Sequence, residues 1–369
     1  MISIAFIVPQ FGIEHRGVEV FAFELLSRLD KKTFHVTVIS GQHKVEVDQV
    51  SFLRRSILSR TYFEWLFRSK FVRKLLSMIK IYGASDIESI QLLIQCYRHL
   101  RSGEYDVVVP MGGYWSTRLA RNASATTGAL ILNIGHGGVV PAEVMLTDHF
   151  VALTPSAHTE ATLYLPGCKI STIPNGVDTS NFHPVSSGSC ISAKQKVGKD
   201  TIICVAAFTS DKNHRALLDA TLFLPQRVKI ILVGRGPLAP SLKSHPACKS
   251  HDVEFCSFPP ADMPAVYHQA RVFTLPSLSE AFGIVFLEAL ASGLNVVAHD
   301  GPTQRAVIGE SGFFCDVMNS KSYAETLIEA LTCERVNQNC TRAQQFSWDN
   351  VARDYSRLFR EVIKARDEE

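Results

Sequence analysis

The sequence predicts an α/β protein with two parallel-sheet domains in tandem. The chain has 369 residues, of which 46% are hydrophobic and 20% are charged. Short apolar runs rich in β-branched residues alternate with longer amphipathic segments. The runs are continuously apolar, as in strands that are buried on both faces of a parallel sheet. This length favours about two domains, and the composition is typical of a globular protein.

Each half of the chain contributes a set of about six predicted strands. The runs lie at 3–8, 34–40, 105–110, 129–134, 150–155 and 170–175, and then at 201–208, 228–234, 253–258, 272–277, 294–299 and 312–316. The segments between them have helical periodicity and supply the crossovers that parallel strands need. We therefore expect two Rossmann-like domains that face each other across a cleft, with ligands bound beyond the carboxyl ends of the strands.

The predicted domains are residues 1–175 and 176–345, followed by a C-terminal helix at 346–369. The join is expected within 176–200, where serine, glycine and lysine are frequent. The last segment is amphipathic, with Ser347 as its predicted N-cap. This helix is predicted to cross back to the first domain.

Residues 51–104 interrupt the alternation and are predicted to form two or three helices inserted in the first domain. Within 51–80, eight basic residues and one acidic residue are interleaved with aromatic residues. A basic amphipathic helix of this kind predicts contact with an anionic membrane surface through 51–82. The alternative is an insert that packs on its own domain. A net charge of +3 and no RNA-binding motif argue against nucleic acid.

Other features of the sequence exclude several classes of protein. No run of ~18 apolar residues predicts a membrane span, and the first residues resemble a buried strand more than a signal peptide. A cytoplasmic protein is expected, peripheral on the inner face of the membrane if 51–82 binds it. Nine cysteines without a C-x-x-C pair argue against a disulfide framework or a zinc site.

The most informative segment is PSLSEAFGIVFLEALASG at 276–293. A helix is expected to begin near Gly283, so that the amides of Phe282, Gly283 and Ile284 face an anion. Glu280 lies in the loop, and Glu288 lies in the helix about 7 Å from its start. The two carboxylates are placed to address a sugar and a ribose. The alternative is a first-turn charge at Glu280 and a solvated Glu288.

The pattern E-x7-E formed by Glu280 and Glu288, with PS before it and EAxAxG after it, resembles the signature of a known family. This is family four of the retaining GT-B-fold glycosyltransferases, the glycosyl transferases of group 1. The segments IPNGVDTSNFHP at 173–184, VKIILVGRGPL at 228–238 and FSWDNVARDY at 346–355 are similar to others in that family. The resemblance covers most of 1–50 and 105–360 and fades across 51–104.

The resemblance implies a role for each matching residue of the second domain. Glu288 would bind the nucleotide ribose. Glu280, with the amides at the start of the helix, would hold the donor sugar and the diphosphate. Lys212 matches the lysine that contacts the diphosphate. The basic residue that usually precedes it is replaced by Ala207, so that Arg235 or Lys212 alone supplies the charge.

Two further residues of the first domain match the family. The usual G-G-x-E is replaced by Arg16-Gly17-Val18-Glu19, in which Gly17 allows backbone amides to approach the diphosphate or the acceptor. A helix-entry turn is the alternative. His136, in GHGG, matches a histidine that contacts the donor sugar, and a structural histidine is the alternative.

The resemblance implies a retaining transferase that moves a hexose from a nucleotide-diphosphate sugar, UDP first and GDP next, to a hydroxyl on a lipid or glycan. The chain has no D-x-D motif, so we expect no metal and no other cofactor. A GT-B nucleotide-sugar epimerase is one alternative. The other alternative is an inactive transferase-like protein that binds nucleotides. The departures from the family pattern at Ala207 and Arg16 favour this alternative.

Overall fold

A computed structural model describes residues 1–13, 17–58, 60–103, 105–164, 168–184 and 201–368. The chain divides into two compact units. Unit 1 comprises residues 1–174 and 348–369, and unit 2 comprises residues 175–347. Arg16 and most of the predicted join at 176–200 lie outside the described residues.

The predicted apolar runs form strands, and the structure adds one strand, β3, that was not predicted. In chain order the strands are β1 Ile2–Ile7, β2 Phe34–Gly41, β3 Ser51–Arg55, β4 Val107–Pro110, β5 Leu130–Ile134, β6 His149–Ala152, β7 Lys169–Thr172, β8 Thr201–Val205, β9 Lys229–Val233, β10 Asp252–Cys256, β11 Val272–Leu275, β12 Asn295–His299 and β13 Gly312–Cys315.

Helices connect the strands. They are α1 Gly17–Arg28, α2 Arg60–Phe63, α3 Lys70–Met78, α4 Ala84–Leu100, α5 Tyr114–Ser124, α6 Pro141–Val144, α7 Pro155–Tyr164, α8 His214–Thr221, α9 Ala239–Lys243, α10 Ala247–Ser250, α11 Met263–Tyr267, α12 Ile284–Ala291, α13 Pro302–Ile308, α14 Ser320–Thr332, α15 Val336–Gln344 and α16 Trp348–Glu368. No described helix is both long enough and apolar enough to cross a membrane.

Unit 1 contains a seven-stranded sheet in the order β3-β2-β1-β4-β5-β6-β7. Its neighbouring strands pair in parallel. The chain moves outward from β1 to β3 and then returns to β4 on the other side of β1. The carboxyl ends of β1 and β4 therefore flank the point where the strand order reverses, at which open α/β sheets bind ligands.

Strand β3 corrects the prediction for residues 51–104, which placed only helices there. Ser51–Arg55 pairs with β2 at the edge of the sheet, and the helices α2, α3 and α4 follow it. The run SFLRR was overlooked because it carries two arginines and none of its side chains is buried. Charged side chains are common on edge strands, which have one unpaired side.

Unit 2 contains a six-stranded parallel sheet in the order β10-β9-β8-β11-β12-β13. The strand order reverses between β8 and β11. The ends of the unit lie together, because the amide of Val177 donates to the carbonyl of Phe346 at 2.8 Å. Two parallel sheets covered by helices confirm the predicted α/β class.

The C-terminal helix α16 packs within unit 1. Its Phe359 is fully buried, with its ring centroid 6.2 Å from that of Phe6 on β1 and 5.9 Å from that of Phe34 on β2. Tyr355 lies one turn earlier and packs edge-on against Phe21 of α1. Unit 1 is thus completed by a segment that follows unit 2 in the chain.

Candidate functional site

The predicted donor residues of unit 2 gather at the carboxyl ends of β8 and β11. Lys212 follows β8 in a 3-10 turn at Ser210–Lys212, and Glu280 follows β11. Asn213 has a left-handed φ of 51°, and its side-chain amide donates to the carbonyl of Pro276 at 3.2 Å. This contact ties the loop after β8 to the loop after β11, at the point where the strand order reverses.

Lys212 and Glu280 form an ion pair. The Nζ atom of Lys212 lies 2.7 Å from Oε1 of Glu280, and the two side chains are 25% and 10% exposed. The sequence predicted separate roles for them, one at the diphosphate and one at the sugar. The geometry joins them, so that Glu280 fixes the position of the ammonium group. An ammonium group has three donors, which leaves others for a ligand.

The amides at the start of α12 form the second part of the site. The helix begins at Ile284, and Gly283 precedes it with φ 84°. A Cβ atom on Gly283 would lie 2.6 Å from Cδ2 of Phe286, so both the dihedral angle and the space require glycine. The Phe282 side chain is buried, with its ring 6.2 Å from that of Phe346. Only the backbone of Phe282 is therefore offered to a ligand, alongside the first amides of the helix, which have no intrahelical acceptor.

Glu288 is half-buried in the second turn of α12, so it is less exposed than the alternative drawn from the sequence expected. The Tyr267 hydroxyl donates to its Oε2 at 2.7 Å. Burial raises the pKa of Glu288 to about 7, a rise that this hydrogen bond opposes. Tyr267 is fully buried, and sequence reasoning missed it. A general rule could have pointed to Tyr267, because a buried tyrosine hydroxyl usually has a polar partner.

Arg235 lies two residues after the end of β9 and is exposed. Its Nε donates to Oγ of Ser257 at 3.0 Å, and its carbonyl accepts from the amide of Phe208 at 2.9 Å. The second contact holds Arg235 against the loop that contains Ala207, where the family usually has a basic residue. Arg235 therefore places a cation next to the loop in which Ala207 replaces the usual basic residue.

His136 and Gly17 belong to unit 1. Gly17 is exposed and begins α1. His136 follows β5 and packs against α1, with its ring centroid 4.5 Å from that of Phe21. Burial lowers the pKa of His136 to about 3, so the imidazole is neutral at physiological pH. It can offer a hydrogen bond to a sugar, but it brings no positive charge to a phosphate.

A cavity of about 340 Å³ opens beside His136 within unit 1. Its walls include Gln10 after β1, Met111 after β4 and Glu143 of α6. The cavity therefore lies beyond the carboxyl ends of β1, β4 and β5. A volume of this size is typical of small-molecule sites.

The chain is similar to known proteins in sequence and in structure. Residues 199–333 match the family described as glycosyl transferases group 1. The chain is 27% identical over 223 residues to the D-inositol 3-phosphate glycosyltransferase of Corynebacterium urealyticum, covering 53% of this chain and 51% of that protein. It is 26% identical over 289 residues to the phosphatidyl-myo-inositol mannosyltransferase of Mycobacterium leprae, covering 72% and 76%.

The chain is related to the glycosyl transferases of group 1. This relationship confirms the resemblance seen in the sequence. The alignments to the first curated relatives span about half of the length of those proteins.

Solved structures show which fold the chain has. Sucrose-phosphate synthase of Thermosynechococcus elongatus superposes with a TM-score of 0.78 at 16% identity, covering 99% of this chain and 100% of that chain. HepE of Anabaena, solved in complex with UDP and glucose, superposes with a TM-score of 0.71 at 15% identity, covering 98% and 100%. The fold is GT-B, as predicted.

Proposed function

We propose that the chain transfers a hexose from a nucleotide-diphosphate sugar to an acceptor hydroxyl, with retention at the anomeric carbon and without a metal ion. The observation that carries this proposal is the Lys212–Glu280 ion pair beside the N-terminus of α12. Glu288 lies farther along the same helix. The relatives reported above are named as transferases, which favours transfer over an epimerase or an inactive binding protein.

In this reaction the diphosphate gains negative charge as it leaves. Lys212 and the first amides of α12 stabilise that charge without a divalent cation, and preorganised donors of this kind are the largest single contribution in many enzymes. Glu280 holds the ammonium group and accepts a hydrogen bond from a hydroxyl of the sugar. Glu288 accepts from the ribose diol in its ionised form. Retention follows from the family resemblance and requires attack from the face of the leaving group.

UDP is the first candidate for the donor nucleotide, and GDP is the second. HepE was solved with UDP and glucose. A relative from Mycobacterium tuberculosis, 27% identical over 188 residues, is named as a GDP-mannose-dependent mannosyltransferase. Both nucleotides therefore enter the first experiment.

The proposal is tested by thermal unfolding of the protein with UDP, GDP, ADP and dTDP. A ligand at 100 times its dissociation constant adds about 2.7 kcal/mol of stability, which gives a clear shift. We expect a shift with one nucleotide that is lost in Glu288→Ala and kept in the control Glu325→Ala, an exposed helical glutamate of the same unit. Unfolding that no nucleotide changes, with no hydrolysis of any nucleotide sugar, rejects the proposal.

The second part of the proposal is that 51–82 binds an anionic membrane surface, which places the enzyme on the cytoplasmic face of a membrane. None of the residues of α3 is buried. Its Phe71, Leu75 and Met78 lie at i, i+4 and i+7 and are 76%, 56% and 77% exposed. They form one apolar stripe. Exposed cations surround the stripe: Arg68, Lys70, Arg73 and Lys74. This arrangement suits the boundary between headgroups and acyl chains.

Co-sedimentation with vesicles tests this surface. We expect binding to phosphatidylglycerol vesicles and little binding to phosphatidylcholine vesicles. The double variant Phe71→Ser/Leu75→Ser should lose it, while Phe223→Ser, which changes an exposed phenylalanine of unit 2, should keep it. Equal sedimentation of the double variant and the unchanged protein contradicts membrane binding through α3.

A further inference from the structure

The hydroxyl of Tyr267 holds one oxygen of Glu288. Tyr267 is the last residue of α11, its side chain is fully buried, and its hydroxyl donates to Oε2 of Glu288 at 2.7 Å. The other oxygen, Oε1, has no hydrogen-bond partner among the described residues and is not one of the fully buried atoms. The contact therefore occupies one oxygen of the carboxylate and leaves the other free for a ligand.

The same contact stabilises the charged form of Glu288. A hydrogen bond donated to a carboxylate lowers its pKa, here against the rise that burial causes. Among the described residues, Tyr267 is the one side chain that shifts this pKa. The other titratable group that acts on Tyr267 is Cys204 of β8. Burial raises the pKa of the Cys204 thiol to about 12, so this thiol brings no charge to the pair.

Two aromatic rings keep Tyr267 in place. The ring centroid of Phe273 on β11 lies 6.0 Å from that of Tyr267, and the centroid of Phe182 lies 5.7 Å away in an edge-on arrangement. Phe182 belongs to the segment IPNGVDTSNFHP, which has no role in the donor site described above. The next residue of this segment, His183, accepts at its carbonyl from Nε2 of His268 at 2.7 Å. Two neighbouring contacts therefore join this segment to the end of α11.

A turn around Asp178 presents the ring of Phe182. The amide of Phe182 donates to the carbonyl of Asp178 at 2.8 Å. The carboxylate of Asp178 accepts from the amide of Ser180 at 2.9 Å and from the side-chain amide of Asn181 at 2.7 Å. Aspartate favours such turns because its short side chain reaches groups a few residues farther along. Residues 178–182, the Asp178 turn, are thus a local structure that ends at the ring in contact with Tyr267.

Resting on the proposed function, we infer that Tyr267 is a positioning residue for nucleotide binding and that the Asp178 turn braces it. Tyr267 acts through Glu288, because its bond to Oε2 orients the carboxylate and leaves Oε1 to accept from the ribose. The segment IPNGVDTSNFHP then serves the site at one remove. It fixes the tyrosine that fixes the carboxylate, and it needs no ligand contact of its own.

The first test is Tyr267→Phe, which removes the hydroxyl and keeps the ring. Without this donor, Glu288 holds its proton to higher pH. At pH 7 we expect the nucleotide that shifts unfolding to bind at least about fivefold more weakly than it binds the unchanged protein. The pH at which affinity reaches half of its maximum should rise by about one unit. Calorimetric titration from pH 6 to 9 measures both.

Tyr323→Phe is the matched control for this substitution. Tyr323 is also fully buried in unit 2, and its hydroxyl lies 2.6 Å from Oγ1 of Thr274. The variant loses a buried hydroxyl bond of the same kind but leaves Glu288 untouched. We expect its nucleotide affinity, and the pH at which that affinity is half-maximal, to match those of the unchanged protein.

A double variant separates positioning from general support of the fold. In the Glu288→Gln background the carboxylate is gone, so adding Tyr267→Phe should cause a much smaller loss of nucleotide affinity and no change in its dependence on pH. A loss of the same size in both backgrounds would mean that Tyr267 acts independently of Glu288, which contradicts the inference.

Phe182→Leu tests the brace. A smaller side chain lets the Tyr267 ring move, so we expect weaker nucleotide binding and a half-maximal pH that rises, both by less than in Tyr267→Phe. Phe223→Leu, which changes an exposed phenylalanine of the same unit, should bind as the unchanged protein does. If Phe182→Leu binds nucleotide as this control does at every pH, the Asp178 turn does not brace Tyr267.

The outcomes separate this inference from the proposed function on which it rests. The inference alone is overturned if the unchanged protein binds a nucleotide while Tyr267→Phe and Tyr323→Phe bind it equally well at every pH. An unchanged protein that binds no nucleotide and hydrolyses no donor instead rejects the proposed function, and the inference falls with it.

Discussion

Lys212 carries a positive side chain of the proposed donor site, and its ion pair with Glu280 holds that side chain in place. The pair joins residues that lie 68 positions apart in the chain. Removing the lysine has two effects. It withdraws a cation from the leaving diphosphate, and it leaves Glu280, which is 10% exposed, without its partner. The second effect is costly because an unpaired carboxylate in a protected position is poorly solvated.

We therefore predict that Lys212→Ala lowers kcat by about 10²- to 10³-fold, the usual cost of removing one preorganised electrostatic contact. Glu280→Gln keeps the shape and should lower kcat more than it raises the KM of the donor. Steady-state kinetics with the natural donor provide the measurement. Lys249→Ala, which removes an exposed lysine of α10 in the same unit, is the control. A kcat for Lys212→Ala equal to that of this control would remove the lysine from the mechanism.

If Glu288 binds the nucleotide ribose as proposed, it should make nucleotide binding depend on pH. Its pKa in the folded protein is about 7, whereas its ordinary value is 4.5. Because the ribose diol needs a carboxylate acceptor, nucleotide affinity should increase as pH rises from 6 to 8. Calorimetric titration across this range measures the effect. Glu288→Gln should bind the nucleotide more weakly, with an affinity that does not change with pH. If the affinity of this variant still rises with pH as in the unchanged protein, another group causes the dependence.

The same group affects stability in the opposite direction. Between pH 4.5 and 7 the folded state holds a proton that the unfolded state has released, so stability falls as pH rises through this window. Above pH 7 Glu288 is ionised in the folded protein, and this ionisation lowers the free energy of unfolding by at most about 3 kcal/mol. We predict that Glu288→Gln is more stable than the unchanged protein at pH 8 and that this advantage disappears at pH 4. Urea unfolding at the two pH values provides the comparison.

At the scale of elements, the turn before α12 depends on one glycine. Gly283 has φ 84°, and a methyl group there would approach the ring of Phe286. We predict that Gly283→Ala destabilises the protein by about 1–2 kcal/mol through the dihedral angle alone. It should also weaken nucleotide binding, because the first amides of the helix move.

Gly128→Ala separates the cost of the backbone dihedral angle from the effect of the contact with the Phe286 ring. Gly128 has a similar φ of 74° but has open space around it. It should therefore show the backbone cost without the steric cost, and it should leave nucleotide binding intact. If both variants bind nucleotide equally well, the amides at the start of α12 do not serve the ligand.

The elements show how far the sequence alone could be interpreted. The buried strands were predictable because strands covered on both faces are continuously apolar. Strand β3 was not, since its arginines and exposed position hide the pattern. Glu280, Glu288 and Lys212 were found through family resemblance. The pairing of Lys212 with Glu280 depends on two loops that meet only in the folded sheet.

Residues without a local pattern were missed. Tyr267 reaches Glu288 across 21 positions, and no spacing rule connects α11 with the second turn of α12. The sequence thus identifies residues that belong to a motif, while the partners of those residues require the tertiary structure.

At the scale of the whole molecule, unit 2 is inserted into unit 1. The chain leaves unit 1 after Pro174 and returns at Trp348. The core of unit 1 depends on the returning helix, because Phe359 is fully buried against Phe6 and Phe34. The start of the motif FSWDNVARDY therefore coincides with the return of the chain to unit 1.

We predict that Phe359→Ala destabilises unit 1 by about 3–5 kcal/mol, the usual cost of emptying a large buried aromatic site. Lys364→Ala, on the exposed face of the same helix, should change stability by less than about 0.5 kcal/mol. Denaturant unfolding followed by hydrogen exchange in β1 and β2 would show the difference. Equal protection of these strands in both variants means that α16 does not support the sheet.

The insertion also sets which unit can be completed without the other. Residues 175–347 form a continuous stretch whose ends meet at Val177 and Phe346, so the second unit contains every segment that it needs. The first unit begins earlier in the chain but needs residues 348–368. Without them the aromatic side chains of β1 and β2 lack their cover, and a chain cut before Trp348 would have one complete unit and one with an open core. The part of the protein that is made first is thus the last to be completed.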